Sequence, residues 1–205
     1  GRVRSMATGT LFPDIKIEPD YFAGLGVLPD QAMRALIRER AITAASPILD
    51  DQVQPASLDL RLGAIAYRVQ TSFLPGAAPV TRKIEQLAMH SMDLSQGAVL
   101  EKGCVYIVPL QEELALPRGI GGTANPKSTT GRLDIFTRLI TDGATEFEVV
   151  PQGYRGQLYL EISPRTFSIL AREGDRLNQL RLRRGAQRHA DAVLERLQSK
   201  EPLVF

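Results

Sequence analysis

The clearest alternation in the chain is the stretch Pro55-Ala56-Ser57-Leu58-Asp59-Leu60-Arg61-Leu62-Gly63. Its leucines alternate one for one with Ser57, Asp59 and Arg61. A period of two places the leucines on one face of an extended chain and the polar residues on the other. We therefore predict a half-buried β-strand. Its Asp59 is either a structural carboxylate, bonded to a turn or an arginine, or a ligand-binding residue.

The rest of the chain repeats this strand-like character. Further candidate strands are Val105–Val108, Leu133–Phe136, Gln157–Ile162, Thr166–Leu170 and Leu177–Leu182. Proline and glycine separate them at short intervals, which is typical of an all-β barrel or jelly roll. Strands and helices do not alternate regularly, so a doubly wound sheet is disfavoured.

Helical and unpatterned segments lie around these strands. A short helix is predicted to begin at Pro29, because Met33, Leu36 and Ile37 recur on one helical face. Residues 71–98 show no clear period, and we expect a loop-rich excursion there.

The predicted domain covers residues 29–185 of the 205-residue chain. Residues 6–28 are expected to be irregular. Residues 186–205 are expected to form a helix and an apolar end that leads into a further segment. The first five residues, 1–5, precede Met6 and resemble the remnant of a cloning tag.

Composition excludes several classes of protein. The formal net charge is +2, and two of the positive charges are Arg2 and Arg4 of the tag-like start, so the charge gives no argument for a nucleic-acid partner. One cysteine and two histidines cannot supply a usual zinc site or a disulfide framework, so no metal ligands are expected. No apolar run is long enough to span a membrane. These features together predict a cytoplasmic location.

Two segments have the residues of a catalytic or binding site. Lys127-Ser128-Thr129-Thr130-Gly131-Arg132 offers two cations and three hydroxyls, which suits a polyphosphate, although for this segment taken alone a polar turn before a strand is the favoured interpretation. Glu161 lies within the predicted strand Gln157–Ile162, on the same side as Tyr159. A carboxylate there must be solvated, paired or catalytic.

Taken together, four segments resemble motifs of the dCTP deaminase and dUTPase superfamily. They are residues 55–63, 127–132, 153–162 and 174–180. The resemblance is to the N-terminal part of a longer deaminase variant. It implies a distorted, jelly-roll-like β-barrel of the dUTPase type with a few short peripheral helices. It also implies a homotrimer with active sites between subunits.

The resemblance implies hydrolytic deamination of dCTP to dUTP and ammonia, without zinc and with Mg²⁺ arriving on the triphosphate. Glu161 would be the general acid and base, and Ser128 and Arg132 would hold and polarise the water. The remaining residues that the resemblance assigns would bind substrate: Lys127 and Thr129 at the phosphates, and Gln179, Thr141, Tyr154 and Asp59 elsewhere on the nucleotide.

Two departures from the superfamily pattern keep other functions open. Pro151 stands where the dUTPase branch has its water-activating aspartate, which disfavours dUTP hydrolysis. Asp142 is a candidate replacement, so a dUTP pyrophosphatase or a bifunctional enzyme remains the alternative. Residues 142–149 are longer and more acidic than the corresponding segment of compact deaminases. A non-catalytic nucleotide-binding module and a purely structural trimer also remain possible.

Overall fold

The computed structural model describes residues 26–185. Within this range the chain forms three α-helices, which are α1 (Asp30–Arg38), α2 (Val80–Leu87) and α3 (Ser128–Arg132), and a 3₁₀ turn at Asp50–Gln52. It also forms twelve strands: β1 (Ile42–Ala44), β2 (Leu58–Leu60), β3 (Ile65–Val69), β4 (Ala88–Asp93), β5 (Ala98–Leu100), β6 (Val105–Ala115), β7 (Ile120–Pro126), β8 (Ile135–Thr141), β9 (Val149–Val150), β10 (Arg155–Pro164), β11 (Ile169–Ala171) and β12 (Asn178–Arg184).

These strands form three antiparallel sheets. The largest has the order β4-β3-β6-β10-β8, with β1 also paired to β6. A second sheet has the order β2-β12-β7-β9, and β11 pairs with β5 in a third. The predicted mainly-β, jelly-roll-like fold with a few short helices is confirmed, although the sheets do not close into one barrel.

Two apolar clusters hold the sheets together. The main core includes Leu58, Leu60, Leu158, Leu160 and Ile162. The second apolar cluster lies on the other side of β10 and consists of Val69, Val80, Ile84, Ile107, Ile140, Ala144 and Tyr159. Strand β10 therefore has apolar packing on both faces, and every residue from Leu158 to Pro164 is buried.

Most of the sequence-predicted elements are present. The helix after Pro29 forms as α1 and buries Met33 and Leu36. The strands predicted at Val105–Val108, Gln157–Ile162 and Leu177–Leu182 lie within β6, β10 and β12, apart from Leu177, which lies one residue before β12. The strand predicted at Leu133–Phe136 instead begins at Ile135, because Leu133 ends α3 and Asp134 has a positive φ of 51°. The strand predicted at Thr166–Leu170 forms only as Ile169–Ala171.

Two predictions about the fold were wrong. Strand β2 is not half-buried, because Asp59 is 1% exposed and lies beneath Lys127 and Arg176. Residues 71–98 are not merely loop, because they contain α2 and β4. Helix α2 packs Val80 and Ile84 into the second apolar cluster, so it covers the outer face of the large sheet.

Other predictions concern parts of the chain outside residues 26–185. The tag-like start and almost all of residues 6–28 lie there, as does the predicted C-terminal helix in residues 186–205. Of the helices within residues 26–185, none is both long and apolar enough to cross a bilayer.

A buried ion pair joins β6 to the segment after β2. Glu112 is fully buried and accepts hydrogen bonds from the backbone nitrogen of Arg61 at 2.7 Å and from Gln52 Nε2 at 3.3 Å. Arg61 Nε lies 3.4 Å from the same carboxylate. Burial raises the pKa of Glu112 to about 7, although these donors favour the ionised form.

This carboxyl predicts a pH dependence of stability. Its folded pKa exceeds its ordinary value, so its stabilising contribution is complete below pH 4.5 and is lost as the pH rises through 7. We expect this residue to lower the free energy of unfolding, measured with urea, by about 2 kcal/mol as the pH rises from about 5.5 to 8. Glu112→Gln should remove that share of the slope, and equal slopes in the two proteins would contradict this assignment.

Candidate active site

Glu161 lies inside the large sheet, on a strand that is paired on both sides. In β10, Glu161 lies opposite Ile107 of β6 and Arg138 of β8, and it is 2% exposed. As predicted, it shares a face with Tyr159, which belongs to the second apolar cluster, whereas Leu158, Leu160 and Ile162 face the main core. Of the alternatives for this carboxylate, solvation is excluded and pairing is present.

Both carboxylate oxygens of Glu161 have partners. Arg138 Nε donates to Oε2 at 2.6 Å, and the Ser72 hydroxyl donates to Oε1. Arg138 Nη2 donates in turn to the Ser72 oxygen at 2.7 Å. Glu161, Arg138 and Ser72 thus form a closed triangle of hydrogen bonds, which we call the Glu161 triangle.

Aromatic rings hold the guanidinium of this triangle. The Arg138 guanidinium carbon lies 3.7 Å from the centre of the Phe147 ring and 5.0 Å from that of Phe136. Such stacking restricts the side chain and adds a favourable cation–π contribution. Sequence reasoning missed both Arg138 and Ser72. A cation within an apolar strand is the signal that could have identified Arg138, whereas nothing in the sequence distinguishes Ser72.

A second polar cluster lies across the sheet β2-β12-β7. Lys127 Nζ is 2.5 Å from Asp59 Oδ2, and Arg176 Nη1 is 3.6 Å from the same oxygen. Gln179 lies directly opposite Asp59 in the pairing of β12 with β2. The other oxygen, Asp59 Oδ1, is buried and has no hydrogen-bond partner among residues 26–185. Three of the predicted substrate-binding residues therefore lie together.

The predicted water-binding residues belong to helix α3. Ser128 and Arg132 are four residues apart, so they share one helical face, and both are exposed, as is Thr129. The buried Thr130 hydroxyl fastens the helix by donating to the Leu177 carbonyl at 2.8 Å. Within the described chain neither Ser128 nor Arg132 contacts Glu161, whose polar partners are Arg138 and Ser72.

Tyr154 and Thr141 lie inside the fold. The Tyr154 hydroxyl accepts from the Asp142 backbone nitrogen at 3.0 Å and donates to the Gln157 carbonyl at 2.6 Å. Burial raises its pKa to about 12. A Cβ at Gly156, whose φ is +152°, would lie 2.8 Å from this hydroxyl, so only glycine fits there. Thr141 is fully buried, and its hydroxyl has no partner among residues 26–185. Their assignment to substrate binding stays a prediction.

The two residues that separated the enzymatic alternatives also have defined places. Asp142 Oδ1 accepts from the backbone nitrogen of Val80 at 2.9 Å, so it caps the first turn of α2. Pro151 is exposed in the turn between β9 and β10. The carboxylate proposed as a replacement aspartate therefore already has a structural role.

The acidic stretch 142–149 contacts both the Glu161 triangle and strand β12. Phe147 stacks on Arg138, and the adjacent Glu148 accepts from the Leu139 backbone nitrogen and, at 3.3 Å, from Asn178 Nδ2. Burial raises the pKa of Glu148 to about 7. Residues 26–185 contain no group of three or more His, Cys, Asp and Glu side chains arranged to hold a metal. The zinc-free reaction stays a prediction.

A paired, buried carboxylate in one sheet and a cluster of cations with an amide in another, on a mainly-β scaffold, define a candidate nucleotide-processing site. The sequence matches the family described as the 2'-deoxycytidine 5'-triphosphate deaminase (DCD) N-terminal domain over residues 24–186. The chain belongs to this family.

Individual relatives agree with the family. The crystal structure of 2'-deoxycytidine 5'-triphosphate deaminase from Agrobacterium tumefaciens is 59% identical, with a TM-score of 0.76, over 78% of this chain and 48% of that one. The "dCTP deaminase, dUMP-forming" of Coprothermobacter proteolyticus is 29% identical over 67% of this chain and 70% of its own. The "dCTP deaminase" of Halorubrum lacusprofundi is 30% identical over 64% of each. The chain thus spans about half of the Agrobacterium protein.

Proposed function

We propose that this domain hydrolyses dCTP to dUTP and ammonia. The observation that carries the proposal is Glu161, a carboxylate buried inside the large sheet whose hydrogen-bond partners among residues 26–185 are Arg138 and Ser72. The relatives named dCTP deaminase support the substrate, and the 59% identity to one of them supports it most strongly.

The proposed chemistry uses Glu161 as a base and then as an acid. Water adds to C4 of cytosine while its proton passes to the Glu161 carboxylate. Glu161 passes this proton to the ring nitrogen; it then takes the remaining proton from the new C4 hydroxyl and gives it to the leaving amine, so that ammonia departs and the C4 carbonyl forms. Ser128 and Arg132 are proposed to orient the water and to stabilise the charge that develops in the transition state.

The phosphates are assigned to Lys127 of the second polar cluster and to Thr129 of α3. Lys127 and Thr129 are proposed to bind phosphate oxygens, because an ammonium and an exposed hydroxyl suit a triphosphate. Mg²⁺ is proposed to arrive bound to the nucleotide. Gln179 and Asp59, which face each other across β12 and β2, are proposed to contact the sugar or base. Tyr154 and Thr141 complete the proposed substrate-binding set.

We also propose that the working unit is a homotrimer with active sites between subunits. In one chain Ser128 and Arg132 are exposed and do not contact Glu161. A second copy could place its α3 beside the Glu161 triangle, which would assemble both halves of the site. A cytoplasmic location, and the absence of membrane and nucleic-acid partners, belong to the same proposal.

A bifunctional reaction is the second candidate. The Coprothermobacter relative is described as dUMP-forming, which favours it. Against it stand Pro151, which cannot act as a base, and Asp142, whose Oδ1 caps α2. Cleavage of the triphosphate would therefore require another carboxylate to activate the water.

The proposal is tested by incubating the protein with dCTP and Mg²⁺, separating the nucleotides by anion exchange and assaying ammonia in parallel. We expect dUTP and ammonia in equal amounts. Formation of dUMP with ammonia would establish the bifunctional reaction instead. No product, with dCTP still raising the melting temperature, would identify a binding module, and no product without a thermal shift would contradict nucleotide binding.

A further inference from the structure

The Ser72 oxygen sits in an unusual position for a structural hydroxyl. It donates its only proton to Glu161 Oε1 and accepts from Arg138 Nη2 at 2.7 Å. These two groups are the acid–base residue of the proposed reaction and the guanidinium beside it. A hydroxyl oxygen is therefore held between a carboxylate and a cation at the centre of the site.

The reacting water needs the same two bonds. It must donate a proton to the carboxylate that acts as its base, and a fixed donor must orient its oxygen so that one lone pair stays free for attack. We propose that the Ser72 hydroxyl occupies the position of the reacting water in a closed form of the chain, and that Arg138 binds this water in the open form. The inference rests on the proposed deamination.

The segment that carries Ser72 is held by side chains and not by backbone hydrogen bonds within residues 26–185. Residues 71–74 connect β3 to the turn before α2, and within the described chain they make no backbone–backbone hydrogen bond. Phe73 and Leu74 pack, half-buried, against the second apolar cluster, and the lack of backbone bonds lowers the free-energy cost of moving the segment. The Ser72 side chain is thus the main polar attachment of this segment, and its bonds close the site over Glu161.

The other two members of the triangle stay in place when the segment moves. Arg138 and Glu161 lie opposite each other on the paired strands β8 and β10. Phe147, at 3.7 Å, and Phe136 hold the guanidinium from positions outside the segment. Withdrawal of Ser72 therefore leaves a carboxylate and a cation that both lack one hydrogen-bond partner, which is a site suited to one water molecule.

The direct test is a crystal structure of Ser72→Ala, which deletes one oxygen and leaves the backbone unaltered. We expect an ordered water within hydrogen-bond distance of both Glu161 Oε1 and Arg138 Nη2. A site in which Arg138 has collapsed onto both carboxylate oxygens, with no water between them, would overturn the proposal.

Kinetics give a second test with a matched control. Ser72→Ala should favour the open form, so the dCTP dissociation constant should fall, and kcat/KM should rise, by about threefold to tenfold. Thr71→Ala removes the neighbouring exposed hydroxyl, which within residues 26–185 hydrogen-bonds to the Ser72 carbonyl alone, at 3.3 Å, and it should behave like the wild type. Equal dCTP binding by the wild type, Ser72→Ala and Thr71→Ala would show that Ser72 is merely structural.

Arg138 is tested through a split between binding and rate. Arg138→Met should lower kcat about a hundredfold while the dCTP dissociation constant stays within about threefold. Arg138→Lys keeps the charge and should recover part of the rate. It also provides a second measurement if the methionine variant does not fold. A kcat unchanged in Arg138→Met, or equally low in Arg138→Met and Arg138→Lys, would remove Arg138 from the water site. An inactive wild type contradicts the deaminase itself, whereas an active wild type with unchanged Ser72 and Arg138 variants contradicts only this inference.

Discussion

Replacing Glu161 by glutamine is expected to slow ammonia release from dCTP by about two to four orders of magnitude. Glutamine keeps the shape of the side chain and can accept from Arg138, but it cannot take the proton of the reacting water. Its amide fills the same buried position between Arg138 and Ser72, so the fold should persist. Single-turnover ammonia release under saturating dCTP is the appropriate measurement.

Binding and a control variant complete that experiment. The dCTP dissociation constant, measured by calorimetry, should change by less than about tenfold, because the lost interaction is made mainly in the transition state. Glu85→Gln alters an exposed carboxylate of α2 and should leave the rate unchanged. A Glu161→Gln rate within a few-fold of the wild type would assign the proton transfer to another group.

Two inactive variants are expected to restore activity when their subunits are mixed. Arg132→Met and Glu161→Gln should each lose at least about a hundredfold of the rate alone. If Glu161 of one subunit works with Arg132 of its neighbour, an equimolar random trimer should have about a quarter of its sites intact, because each such site needs one unaltered copy of each residue. The measurement is ammonia release after joint refolding or co-expression of the two variants.

The mixing experiment has a clear contrary outcome. Subunit mixtures that stay inactive, although mass measurements show mixed trimers, would place Glu161 and Arg132 in one subunit's site. The control mixes Glu161→Gln with Arg118→Met, which alters an exposed arginine outside α3. Every site in that mixture has an unaltered Arg132. About half of those sites should be active, since only Glu161 limits them.

Strand β10 illustrates how far the sequence reaches. Alternation predicted that Tyr159 and Glu161 share a face, and this is confirmed. It did not predict that both faces are buried, because the outer face is covered by α2, an eight-residue helix in a stretch with no visible period. A helix of two turns buries too few residues to show a helical period in the sequence. It forms because it packs against the large sheet, and that contact is not visible in the sequence.

The partners of the acidic residues depended on register and distance along the chain. Arg138 meets Glu161 only because β8 pairs with β10 in one particular register, and the predicted strand ended before Arg138. Lys127 and Asp59 are brought together by strands β7, β12 and β2, which lie far apart in the sequence. Residue types at short spacing identified the candidate groups, but the sequence alone does not specify which of them meet across sheets.

The unbroken burial of Leu158 to Pro164 has a consequence for how this domain can diversify. A replacement anywhere in that run disturbs packing on one side or the other, so the strand that carries Glu161 has little freedom to vary. Thr71 and Ser72 lack backbone–backbone hydrogen bonds within the described chain and lie outside both apolar clusters, so replacements there cost less. The catalytic carboxylate and the residues that control access to it thus lie in separate segments of the chain. Mutation can change access without disturbing the strand that carries the carboxylate.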